Sequence, residues 1–141
     1  MFKIAIDGPS GAGKSTQARR WENFRFWSVA NGDRAVLENT PAGFLAHGSP
    51  WAGSSEIYEH KQAAVLLAAL PVQAPSNEAK LLDRGEAFRR VFPHIALNPW
   101  DGEAVERAMA LCDAFVESVP VFHLNCRADE GAVSCLEEVL P

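Results

Sequence analysis

The chain has 141 residues, a formal net charge of −5 and 48% apolar residues. That length predicts a single domain over residues 1–141 with material for a core, and the acidic balance excludes nonspecific nucleic-acid binding through a basic surface. Three cysteines without metal-type spacing (Cys112, Cys126, Cys135), no basic leader segment and no apolar run longer than Ala63–Leu70 point to a cytoplasmic protein with reduced thiols and no membrane span.

Phe2-Lys3-Ile4-Ala5-Ile6 is a short, nearly continuous apolar run, as a buried parallel strand should be. It leads into Asp7-Gly8-Pro9-Ser10-Gly11-Ala12-Gly13-Lys14-Ser15-Thr16, which fits G-x-x-x-x-G-K-[ST] from Gly8. Glycines let a backbone curl until successive N–H groups face one anion. The cofactor-binding set is therefore Gly8, Ser10, Gly11, Ala12, Gly13, Lys14, Ser15 and Thr16. Lys14 supplies a point charge for the outer phosphates, and the Ser15 hydroxyl can join a magnesium sphere. A helix over 15–25, with Ala18 and Trp21 on one face, aims its N-terminal dipole at the same place.

Residues 26–30 read as a second strand, ended by Asn31-Gly32-Asp33. The Gly-, Pro-, Ser- and Asn-rich stretch that follows to Ser54 is expected to be a substrate-side flap, with a short helix over 34–39. Ser54 or Ser55 can cap a helix running to Leu70 and stopped by Pro71. Residues 79–83 read as a third strand followed by a helix over 86–92; the rival is one helix over 77–92, which Gly85 opposes. Asp101 caps the clearest helix, 102–117, with Val105, Ala108, Met109, Leu111, Cys112, Phe115 and Val116 as its buried stripe. Residues 121–126 form a fourth strand, and Asp129 caps a last helix over 130–140. Such alternation predicts a parallel sheet with helices on both faces.

Phosphoryl transfer needs a carboxylate near the metal, usually at the end of a neighbouring strand. Asp83 is the candidate for it, alternatively a surface acid, with Arg84 meeting an acceptor or its phosphate. Asp7 either orients metal-bound water or caps the loop. Asp33 and Glu38 are candidates for a general base or are solvated loop acids. Arg89 or Arg90 can bind a substrate phosphate or stand as exposed helix charges, and Arg127, just past the fourth strand, can stabilise transition-state charge. His47, His60, His94 and His123 share no ligand spacing. Trp27, Phe44, Trp51 and Tyr58 can stack on a base or belong to the core.

Ile4–Thr16 resembles the opening of the P-loop nucleoside and nucleotide kinases; cytidylate kinases have a near-identical start and thymidylate kinases a similar one. Leu81-Leu82-Asp83-Arg84 is similar to the Asp-Arg that ends strand three in thymidylate and deoxynucleoside kinases. Pro120–Asn125 resembles their fourth strand, and 128–140 their next helix. The resemblance implies a P-loop NTPase fold, three α/β/α layers around a small, mostly parallel sheet of about four strands. It implies ATP and Mg2+ as donor and a nucleoside or nucleoside monophosphate as acceptor. Lys14 and Ser15 would act in donor binding, and Asp83 and Arg84 at the reacting centre, with Ser15 and Asp83 as metal ligands. The family's arginine-bearing lid and fifth strand have no counterpart here, and the segment between strands two and three is compressed. Three outcomes stay open: a minimal kinase, one that borrows an arginine across a homodimer, and a relative that binds without transfer. The guanine-specificity Asn-Lys-x-Asp of GTPases is missing.

Overall fold

The computed structural model describes residues 4–6, 13–25, 36–47, 62–127 and 129–140. In chain order the elements are β1 (Ile4–Ile6), α1 (Lys14–Arg25), β2 (Val36–Thr40), β3 (Gly43–His47), β4 (Gln62–Ala64), β5 (Leu67–Gln73), β6 (Glu78–Leu81), α2 (Arg84–Val91), a 3-10 turn (Phe92–His94), α3 (Gly102–Ser118), β7 (Val121–Cys126) and α4 (Glu130–Glu137). The second strand expected over 26–30 lies outside the described residues.

The strands form two sheets. One has four strands in the order β1-β5-β7-β6, and the other is a three-stranded meander, β2-β3-β4. In the larger sheet β1, β5 and β7 are parallel, while β6 runs antiparallel to β7. The meander is antiparallel throughout. This corrects the expectation of a three-layer P-loop domain on a single, mostly parallel sheet. A second sheet occupies stretches read as flap and as helix, and the larger sheet is mixed.

The flap's expected helix at 34–39 gives way to a hairpin. Its strands meet at Pro41-Ala42, with Thr40 opposite Gly43, and Gly43 adopts φ +120°, a region open mainly to glycine. The Thr40 hydroxyl donates to the Gly43 carbonyl at 2.7 Å and closes the turn.

The C-terminal part of the helix expected to end at Leu70 is strand instead. Val65 and Leu67 to Leu70 are all buried, which a strand covered on both faces achieves and an amphipathic helix does not. Periodicity cannot separate the two for a short apolar run. Nor does Pro71 stop the element. Ala68 N–H donates to Pro120 and Ala74 N–H to Cys126, so even-numbered N–H groups of β5 face β7. The N–H that Pro71 lacks points away from β7, so the β5–β7 ladder asks no donor of it, and proline is tolerated there.

Side chains of β5 and β7 alternate between two cores. Ala68, Leu70 and Val121 join Leu82, Ala87, Cys112, Phe115, Val116 and Val119 beneath α2 and α3. The meander closes that side through Phe44, whose ring meets Phe115 edge-on at 5.1 Å. Leu67, Ala69, Phe122, Leu124 and Cys126 face Trp21 of α1 and Ala132, Val133 and Leu136 of α4. Arg25 fastens α1 to α4 with Nε on Glu137 at 2.6 Å and Nη1 on Glu130 at 2.8 Å.

Helix α3 begins where its sequence says: the Asp101 carboxylate accepts from Ala104 N–H at 3.1 Å. It ends at Ser118, ahead of Pro120. Helix α2 starts at Arg84, after β6 has ended at Leu81, so the rival single helix over 77–92 is not formed. Helix α4 is shorter than expected and ends at Glu137.

Candidate functional site

Of the phosphate-loop motif, Gly13 to Thr16 are described; Asp7, Gly8, Ser10, Gly11 and Ala12 lie outside the described residues. Gly13 has φ +98°, and α1 starts at the next residue. Its carbonyl accepts from Gln17 N–H at 2.9 Å, the first intrahelical bond. Ser15 and Thr16 are exposed in the first turn, where N–H groups have no intrahelical partner.

This turn lies over the carboxyl end of the parallel strands. Gln17 is buried, and its side chain hydrogen-bonds the Cys126 sulfur at the end of β7. The Cys126 thiol in turn donates to the Val72 carbonyl at 3.6 Å. Burial pushes that thiol above its ordinary range, against smaller opposing effects from Arg20, Val72 and Gln17. Gln17 Oε1 and Arg20 Nε are buried with no hydrogen-bond partner among the described residues.

Arg127 is on the same edge. Asn77 Oδ1 accepts its backbone N–H at 2.7 Å, and its guanidinium meets Asp129 at 3.3 Å. Asn77 Nδ2 also donates to Asp129 at 2.9 Å, which holds that carboxyl below its usual range. Asn77 thus ties the end of β7 to the start of α4.

Asp83 and Arg84 are elsewhere. Ile6 pairs with Ala69, Ala69 with Phe122, and Phe122 with Leu81, so these four share one transverse row. At roughly 4.8 Å per strand, Leu81 is about 14 Å across the sheet from Ile6. Because β6 is antiparallel, the chain beyond Leu81 heads for the amino edge of β7, and Leu82 N–H donates to Val121 there. Asp83 then caps α2 by accepting from Glu86 N–H at 2.9 Å. Arg84 grips Asp113 with two hydrogen bonds, 3.1 and 2.7 Å, and lies 3.5 Å from Glu117. The strands bring Lys14, Ser15 and Arg127 to one edge and leave Asp83 and Arg84 at the other.

The remaining candidates divide similarly. Arg90 donates to His123 Nδ1 at 2.7 Å, and Arg89 is exposed. Glu38 pairs with His47 at 2.8 Å in the meander. Phe44 is core rather than a stacking platform. Asp33, His60, Trp27, Trp51 and Tyr58 lie outside the described residues. The sequence reading passed over Gln17, Asn77 and Asn125. Asn125 had a signal, since it follows His123 by two residues and so shares its face. Gln17 and Asn77 had none.

Among the described residues there is no group of three or more His, Cys, Asp or Glu arranged to hold a metal, and no helix long and apolar enough to cross a membrane. Compared with protein-family models, curated proteins and solved structures, the chain matches none.

Proposed function

We propose that this chain is a cytoplasmic phosphotransferase of the nucleotide-kinase type. It would bind ATP with Mg2+ through Gly8–Thr16 and pass the γ-phosphoryl group to a nucleoside or nucleoside monophosphate. The observation that carries this reading is Gly13. It takes φ +98° between a strand–loop motif and a helix opened by Lys14-Ser15-Thr16, a frame suited to phosphate oxygens. Lys14 would meet the outer phosphates, and Ser15 would supply a hydroxyl to the magnesium, which neutralises charge on the transferring group. Arg127, just past β7 and paired with Asp129 at 3.3 Å, would stabilise that charge.

A second reading, nucleotide binding without transfer, is favoured by the commitment of Asp83 and Arg84 to α2 and α3 at the far edge. The two separate in one experiment. Calorimetric titration with MgATP is followed by a coupled assay across the common nucleosides and monophosphates, with Lys14→Ala as control. Loss of a charge-assisted phosphate contact should weaken ATP binding by about 10- to 100-fold while the thermal midpoint holds. An unchanged dissociation constant would remove the loop assignment. Tight binding without transfer to any acceptor would leave only the second reading.

A further inference from the structure

The side of α1 that packs on the larger sheet carries two buried polar atoms one turn apart. Gln17 is 3% exposed, and Arg20 is half-buried. Positions i and i+3 are neighbours on a helix surface. Trp21, the next residue, shares a core with Leu124 and Cys126, so this stripe faces the carboxyl half of β7.

The Cys126 sulfur fixes how the Gln17 amide is turned. A thiol has one proton, and here it goes to the Val72 carbonyl at 3.6 Å. Toward Gln17 the sulfur can only accept, so Nε2 donates to it and Oε1 is turned elsewhere. The Arg20 charge acts on the same sulfur, which puts its guanidinium at this end of β7 too. Gln17 Oε1 and Arg20 Nε are both closed to bulk solvent, and among the described residues neither has a hydrogen-bond partner. A buried polar atom left unpaired keeps the full cost of its lost hydration.

One of these atoms is an acceptor and the other a donor, yet they do not bond each other. The group that satisfies both must donate to Oε1 and accept from Nε–H. An anion has no proton for Oε1. A metal cation has no lone pair for Nε–H and would sit beside a guanidinium. Water does both, and two polar partners are enough to hold an enclosed one.

We infer that a single enclosed water bridges Gln17 Oε1 and Arg20 Nε–H where α1 meets the carboxyl end of β7. It fixes the rotation of the turn that carries Lys14, Ser15 and Thr16 against the sheet. The bridge needs no nucleotide and does not rest on the phosphate-loop reading.

The test uses the 15N-labelled full chain without nucleotide. The Arg20 Nε–H resonance is identified by its loss in Arg20→Lys, and its cross-peaks to water are recorded in laboratory-frame and rotating-frame Overhauser spectra. A held water gives peaks of opposite sign in the two. Proton exchange, or a water that leaves within a nanosecond, gives the same sign in both. The expected result is opposite signs in the wild type and loss of the peak in Gln17→Met, which removes the acceptor. Gln17→Met and Arg20→Met together should lower the thermal midpoint by less than the sum of their separate losses, because each alone strands the other partner. No water peak in the wild type, a same-sign peak, a peak that survives Gln17→Met, or additive losses would each overturn the bridge. Should Gln17→Met fail to fold, the wild-type spectra decide by themselves.

Discussion

Ile6 and Leu81 lie in one row of the larger sheet, and the chain leaves them in opposite directions. The glycine motif follows Ile6 toward the carboxyl edge, and Asp83 follows Leu81 toward the amino edge. Asp83 is therefore expected to act on stability and not on chemistry. Asn caps helices as well as Asp does, so Asp83→Asn should leave both the melting midpoint and turnover near wild type. Asp83→Ala should cost about 1 kcal/mol of stability. Equilibrium urea unfolding and the coupled assay check both. A tenfold fall in turnover for Asp83→Asn at unchanged stability would return Asp83 to the reacting centre.

Gly131 is required by Asn77. A Cβ at Gly131 would lie 2.5 Å from Asn77 Nδ2 and 3.0 Å from Asp129 Oδ1. Asn77 cannot swing away freely, since it holds both Arg127 N–H and Asp129. Gly131→Ala should destabilise by about 1–3 kcal/mol, although alanine is the better helix former. In an Asn77→Ala background the same change should be neutral or stabilising. A double-mutant cycle with no coupling would refute the clip.

The α1–α4 fastening predicts an acid dependence. Glu137 is held below the usual carboxylate range, first by its hydrogen bond from Arg25. A carboxyl depressed in the folded state stabilises above its unfolded pKa, about 4.3 for Glu. That contribution disappears as pH falls through the folded value. Arg25→Met keeps an apolar stem and removes the partner. It should lower stability at neutral pH, and its difference from wild type should shrink progressively as pH falls below about 4.3. Unfolding midpoints measured across that range decide it; a constant offset at every pH would assign the effect to packing alone.

Much of the larger sheet's helical cover was legible. Asp101 and the helical period give α3 because capping and periodicity are local properties, and Val121–Cys126 is bounded by Pro120 and Asp129 in the same local way; of the expected buried stripe, Cys112, Phe115 and Val116 are buried, while Met109 and Leu111 are exposed. The meander was not legible. Thr40-Pro41-Ala42-Gly43 carries no Asn-Gly or Asp-Gly signal, and Leu67–Leu70 is buried on both faces, which erases the alternation that marks a strand. For the site, the motif identified the helix N-terminus, but the placement of Asp83 turned on whether a four-residue strand runs parallel or antiparallel. Nothing in Glu78-Ala79-Lys80-Leu81 encodes that direction; it is imposed by pairing with β7.

The run from β4 into β5 passes from one sheet to the other almost without a break: Val65 N–H still donates to Phe44 of the meander, and Leu67 is already opposite Ile4. The meander thereby acts as a register gauge for the central strand. A single residue added at Leu66 would turn every β5 side chain to the opposite face, putting Leu70 on the face where Ala69 now meets α1 and α4. It would also swing the Pro71 position round to the β7 ladder, where the missing N–H would be needed. The meander that begins at the Thr40–Gly43 hairpin thus bears on how β5 presents its carboxyl end beside α1.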